Sequence, residues 1–371
     1  MNRQMLFLVI ATTALWAQII NTLPTPPPRV NPDLSVTYFL NAPNAREVRL
    51  VDTVHSPGPP GIPLTKGADG IWSLTTPPYE AGSHSYAFIV DGVLTGDIFS
   101  TAPQERLPRP TVPFEMIDVR GSEPLFTDMR AVRHGTVYIE TFSSVKLNRE
   151  VRVFVYTPPD FVRGEETPIV YLLHGNLSDE RAWSQTGYAE RIADNQIASR
   201  QAPRMILAMP DTSGPDRGNL PQELVEAYLI SEVFPFVEGK FLTNVNPVGL
   251  VQGPQPEIKR YLAGFSAGAN HARFSGLRNP SLFAGLGFFS GGGLAMGNLE
   301  ELHPTVRQPQ LFQHMKVIYF AIGLQDPALA NVLRMSQQLK QLGIDHEMNV
   351  STGRHNWFNW RRYLAEFLKR I

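Results

Sequence analysis

The sequence contains no cysteine. That excludes a thiol nucleophile, a cysteine-ligated zinc, a disulfide framework and a lipid-modified cysteine anchor. An excess of either charge is missing too: 33 Lys and Arg stand against 34 Asp and Glu, so no nucleic acid or anionic membrane surface is expected as a partner. Residue spacings typical of a metal cluster or a phosphate loop are also absent, and neither metal nor cofactor is expected. The apolar run 5–17 is too short for a comfortable membrane span. It follows Arg3 and carries small residues Ala14 and Ala17 near its end, the pattern of an export signal. Residues 1–17 are therefore expected to be a signal peptide and 18–29 a Pro-rich linker. Its removal would leave a secreted or periplasmic protein without stable membrane insertion.

What is plentiful is proline, 32 residues of it, which implies long ordered loops and linkers. A length of 371 residues suggests two domains, and 43 % apolar against 18 % charged residues is enough for a buried core. In 30–119, short apolar stretches at 34–40, 47–51, 70–75 and 84–90 alternate with turn-forming residues. Asp91-Gly92 between two such runs predicts a tight hairpin. The region is expected to be an all-β sandwich of immunoglobulin-like size, and the four prolines of 103–113 a connector. Beyond Gly135 the pattern changes. Apolar β-rich runs at 151–156, 168–173, 204–209, 261–265, 284–289, 316–322 and 347–350 are separated by helix-length stretches. These stretches include 220–241, with a kink expected at Pro235, then 326–342 and 357–371. Such alternation predicts an α/β domain over 120–371 with a mostly parallel sheet covered on both faces.

Gly264-Phe265-Ser266-Ala267-Gly268 falls between the predicted strand 261–265 and a helical stretch. In that setting Gly-x-Ser-x-Gly is a nucleophile elbow, with glycines making room for a strained serine backbone. A serine needs a base, and in such sheets ligands meet the carboxyl ends of the strands. The expected chain order is serine, acid, histidine. Only His346 and His355 follow Asp326, one of the acidic candidates. His346 precedes the predicted strand 347–350, at the wrong edge, whereas His355 follows it. Among Glu300, Glu301, Asp326, Asp345 and Glu347, Asp326 stands directly after strand 316–322. It is also a candidate N-cap, with Pro327 next to it. The candidate triad is therefore Ser266, Asp326 and His355, with the backbone N–H of Ala267 as one oxyanion donor. A second donor is expected in the loop after Tyr171-Leu172-Leu173-His174-Gly175, from Asn176 or Leu177. His174 is read as structural, Trp72 as core, and Phe265, Trp183, Trp357 and Trp360 as core or packing around the site. Glu232 and His271 receive no role.

These motifs, with Val155-Tyr156-Thr157-Pro158-Pro159, Phe289-Ser290-Gly291-Gly292, Gly323-Leu324-Gln325-Asp326 and Gly353-Arg354-His355-Asn356-Trp357, resemble the esterase D-like family of α/β-hydrolases. That family includes feruloyl and enterochelin esterases, and the resemblance covers roughly 132–371. Ala42-Pro43-Asn44-Ala45, Gly70-Ile71-Trp72-Ser73 and 86–92 resemble early-set, immunoglobulin-like domains related to family 48 carbohydrate-binding modules. Together they imply an α/β-hydrolase domain behind an immunoglobulin-like sandwich. The expected function is a secreted serine carboxylic ester hydrolase acting on acylated carbohydrate or a small aromatic ester, feruloyl esters included. Alternatives are a siderophore esterase of the enterochelin type, an acyltransferase sharing the acyl-enzyme, and a non-catalytic carbohydrate-binding protein.

Overall fold

The structure is a computed structural model and describes residues 25–96, 104–105, 114–214, 218–242, 258–292 and 299–371. The expected signal peptide, residues 18–24 of the linker and most of the connector lie outside the described residues.

The N-terminal region is built from β1 (Arg29–Val30), β2 (Val36–Asn41), β3 (Val48–Asp52), β4 (Ile62–Pro63), β5 (Thr65–Lys66), β6 (Ile71–Thr75), β7 (Gly82–Val90), β8 (Val93–Thr95), β9 (Gln104–Glu105) and β10 (Phe114–Val119). Strands β1-β2-β6-β5 form one sheet; β4-β3-β7-β10-β9, with β8 on β7, form the other. All their pairings are antiparallel. Alternate side chains of both sheets meet in one core, Val36, Tyr38 and Trp72 against Val48, Leu50, Tyr86 and Phe88. Trp72 is buried and its Nε1 donates to Ala42 O at 2.8 Å, so it serves the core. The Asp91-Gly92 turn joins β7 to β8 with φ of 48° and 85°, as a tight hairpin requires. Strand β10, which pairs with β7, carries Glu115 and Asp118 just after the prolines and gives no clear apolar signal in the sequence.

The C-terminal region is one eight-stranded sheet: β11 (Thr136–Ser144), β12 (Arg149–Thr157), β13 (Ile169–Leu173), β14 (Ile206–Pro210), β15 (Arg260–Phe265), β16 (Gly285–Phe289), β17 (Val317–Gly323) and β18 (Glu347–Ser351). Its order is β11-β12-β14-β13-β15-β16-β17-β18. Pairings β11–β12 and β12–β14 are antiparallel and the remainder parallel. The central strands are buried on both faces, which is why they read as continuous apolar runs. The described α-helices are α1 (Ala189–Ala198), α2 (Gln222–Tyr228), α3 (Phe234–Phe241), α4 (Ala267–Arg278), α5 (Leu299–Leu302), α6 (Leu329–Gln341) and α7 (Trp357–Leu368). No described helix is long and apolar enough to cross a membrane.

Two expected helices differ in detail. The stretch 220–241 divides into α2 and α3 around a wide five-residue turn at Leu229–Val233. Pro235 removes the N–H that a regular helix would use there, and the wider turn makes room for its ring. Helix α6 begins at Leu329, because Asp326 Oδ1 accepts from Ala328 N–H at 2.9 Å and holds a separate turn ahead of it. The edge strand β11 carries no apolar run that marks it in the sequence, because its side chains are mostly exposed.

Candidate active site

Ser266 stands between β15 and α4 with φ 54° and ψ −119°, a backbone state that few non-glycine residues adopt. Its N–H is engaged by Phe289 O at 2.9 Å. The flanking glycines are required by close approach. A Cβ on Gly264 would lie 2.8 Å from Leu173 O, and one on Gly268 2.4 Å from both Leu173 O and His174 O. The turn is thus pressed against the end of β13.

His355 lies in the loop between β18 and α7, which Asn356 caps. The loop is tied on two sides. Asn359 Nδ2 donates to Arg354 O at 2.9 Å, and Gly353 N–H donates to Gln325 Oε1 at 2.7 Å. The second bond links the ends of β17 and β18, so Asp326 and His355 are held together. His355 Nδ1 lies 2.9 Å from Asp326 Oδ2, and its Nε2 lies 2.8 Å from Ser266 Oγ. With the carboxylate accepting from Nδ1–H, the neutral imidazole presents a bare Nε2 to the hydroxyl. Asp326 is buried, whereas the imidazole is 31 % exposed. The three candidates chosen from chain order converge at hydrogen-bond distance. His346 sits near the opposite end of β18, bonded to Ser336 Oγ and Ile344 O.

Helix α4 makes its first internal bond from Asn270 N–H to Ser266 O, so the N–H of Ala267 precedes the ladder and has no intrahelical acceptor. The loop after β13 passes over the serine: a Cβ on Gly175 would lie 3.2 Å from Ser266 Cβ. Within it, Leu177 has φ 60° and its N–H donates to Asn176 Oδ1 at 3.0 Å. His174 donates from Nδ1 to Gly175 O and accepts at Nε2 from Thr212 N–H at 2.9 Å, tying this loop to the one after β14.

Phe265, Trp183, Trp357 and Trp360 are all buried and pack ring to ring, forming a floor under the site. Trp360 meets the His355 ring edge-on at 5.0 Å, and Trp183 Nε1 donates to Leu173 O. Burial pushes His271 down to about 4, so it stays neutral near pH 7. Glu232 accepts from Ser144 Oγ and Lys146 N–H at a distant turn. Sequence reading missed the loop-holding residues Gln325 and Asn359. Their side chains act through backbone groups, which leave no spacing signature.

The sheet order with a strained serine after β15 defines an α/β-hydrolase. A family model described as "Putative esterase" matches residues 144–371, and the chain belongs to that Esterase family. An endo-1,4-beta-xylanase/feruloyl esterase of Xylanibacter ruminicola is 27 % identical over 363 residues, 93 % of this chain and 46 % of that protein. The chain therefore spans about half the length of that relative. Among solved structures, the enterobactin esterase FES of Shigella flexneri superposes with a TM-score of 0.69 at 17 % identity, covering 98 % of each chain. A feruloyl esterase module of Clostridium thermocellum, complexed with sinapinate, gives 0.53 at 20 % identity over 68 % of this chain and 93 % of that one. Both structural likenesses concern the fold.

Proposed function

We propose that the chain is a serine carboxylic ester hydrolase in which Ser266 attacks the ester carbonyl. His355 takes the hydroxyl proton and returns it to the leaving alcohol, while Asp326 fixes the imidazole tautomer and stabilises its protonated form. The carrying observation is the continuous relay from Ser266 Oγ through His355 to Asp326, at 2.8 and 2.9 Å. The acyl-enzyme is then released by water through the same relay. Ala267 N–H supplies one oxyanion donor. Asn176 N–H is favoured for the second, because Leu177 N–H would have to leave the Asn176 side chain. Each donor is worth on the order of 3 kcal/mol.

The substrate we assign is an acylated carbohydrate with a hydroxycinnamoyl group as the lead acyl part, supported by the relative that matches 93 % of this chain. The N-terminal sandwich is assigned as immunoglobulin-like, and the protein as exported on the strength of Arg3 and the apolar run 5–17. A catechol siderophore ester is the second reading, favoured by the enterobactin esterase likeness extending over both domains. The test is hydrolysis of methyl ferulate, enterobactin and p-nitrophenyl acetate by the parent and by Ser266→Ala. Preference for the ferulate, lost in the variant, is expected; preference for enterobactin would reverse the substrate order. Equal rates in parent and variant would remove Ser266 from the mechanism.

A further inference from the structure

A cleft of about 470 Å³ is lined by residues of α1, α7, the end of β18 and the segment 126–130, and none of Ser266, Asp326 and His355 lines it. Two adjacent carboxamides of α1 stand in its wall, Asn195 at 5 % and Gln196 at 6 % exposure. Hydrogen bonds fix which way each is turned. Asn195 Nδ2 donates to Phe126 O and Asp128 O, both at 2.9 Å, and Gln196 Nε2 donates to Ala365 O at 2.7 Å. The NH₂ ends are therefore anchored on carbonyls, and a flipped amide would set oxygen against oxygen. Both carboxamide oxygens are left buried without a hydrogen-bond partner. Buried acceptors are normally satisfied, so two of them side by side in the wall of a cleft call for donors brought from outside. The cleft also holds an unbalanced cation. Arg362 is paired with Glu80 and Lys369 with Glu366, each at 2.7 Å. Arg130 is exposed, its Nη2 donates to Leu125 O at 3.5 Å, and it has no carboxylate partner among the described residues.

We propose that this cleft is a second binding site, separate from the triad, and that it takes a sugar acid, a hexuronate unit of a glycan. The carboxylate meets the guanidinium fork of Arg130, and ring hydroxyls donate to Asn195 Oδ1 and Gln196 Oε1. The half-buried Phe126 supplies an apolar wall for the C–H face of the ring. A neutral sugar would leave the Arg130 charge unused, and a simple carboxylate would leave both amide oxygens without donors. The volume falls within the range of about 300–1,000 Å³ found for small-molecule sites, with room for a linked neighbouring ring. Binding here needs no turnover, so this inference and the esterase reading stand or fall separately.

The experiment is an NMR titration of the full chain with methyl glucuronoside, with the neutral methyl glucoside as control, repeated on Arg130→Ala and Ser199→Trp. The first variant removes the fork. The second fills the cleft from an exposed position at the end of α1. The parent is expected to bind the glucuronoside about tenfold more tightly than the glucoside. Arg130→Ala should bring the glucuronoside down to the level of the glucoside and leave the glucoside unchanged. Ser199→Trp should weaken both sugars about tenfold or more. Both positions are exposed, so melting temperatures and any ester hydrolysis should match those of the parent, which separates a lost site from a lost fold. Absence of glucuronoside binding by the parent, equal binding of the two sugars, or undiminished binding by the two variants would each overturn the proposal.

Discussion

The N-terminal β-rich region and the C-terminal α/β region each contain a buried aspartate 2.9 Å from a histidine Nδ1, Asp52 with His55 in the first and Asp326 with His355 in the second. Their surroundings part them. Asp52 Oδ1 accepts the backbone N–H groups of Val54, His55 and Ser56, and its Oδ2 accepts from Tyr79 OH, which also pairs with Tyr38 OH. Burial works against the charge of Asp52, but hydrogen bonds from Tyr79, Ser56 and His55 outweigh it and hold the carboxyl below its ordinary range. The result is a turn staple. Asp326 has one backbone donor, Ala328, and its histidine offers Nε2 to a serine on a strained turn. An Asp–His pair is therefore no signature of catalysis by itself; what it faces decides its use.

The largest effect should come from breaking each pair in turn. Asp326→Asn is expected to lower kcat on the order of 10⁴-fold while the melting temperature changes little. Asp52→Asn should do the opposite, costing about 2 kcal/mol in urea unfolding with kcat of the folded protein within a few-fold. Matching losses of activity in both variants would erase the distinction between staple and relay.

Glycines sharpen the contrast next. Gly268→Ala places a methyl 2.4 Å from two carbonyl oxygens and is expected to cost roughly 3 kcal/mol or more, or to prevent folding. Gly92→Ala has φ 85° but open space around it, so about 1 kcal/mol is expected from the backbone alone. Chemical denaturation of both variants tests this, and an equal cost would mean that crowding at the elbow is relieved by movement of β13.

His84, stacked on Phe358 of the C-terminal region at 4.8 Å, makes stability depend on pH. Burial pushes His84 from 6.5 down to about 4, so the unfolded chain binds its proton more readily than the folded one. Stability from this group is complete above pH 6.5 and is lost as pH falls towards 4, by at most about 3 kcal/mol. The contribution of Asp52 is present above the ordinary carboxylate value of 3.8 and is lost only below it. Melting temperatures of the parent should fall between pH 7 and 4.5, and His84→Gln should flatten that slope. His271 and His303, pushed down to about 4 and about 3 by burial in the C-terminal region, add to that slope, and Glu190, pushed up to about 7 by burial, opposes it. The smallest change is expected for Trp72→Phe, which loses the bond to Ala42 O at about 1 kcal/mol and leaves ester hydrolysis unaltered. Lost hydrolysis there would show that the sandwich core reaches the site.

The sequence by itself determined the parallel sheet, through apolar runs such as 169–173 and 317–322, and the hairpin at Asp91-Gly92, because burial on both faces and positive φ each restrict which residues can occur. It also singled out Ser266, Asp326 and His355, which the fold brings to hydrogen-bond distance, because strand ends and chain order leave few positions for such a set. Weakly patterned strands were not legible. β10 and β11 are held by pairing with neighbours more than by apolar side chains of their own. Only the tertiary structure decided that Gln325 and Asn359 fasten the histidine loop, that Asp52 has its own aspartate–histidine pair, and that Glu80 reaches Arg362 across 282 residues. Those contacts depend on distances between segments far apart in the chain, and local residue preferences carry no record of them.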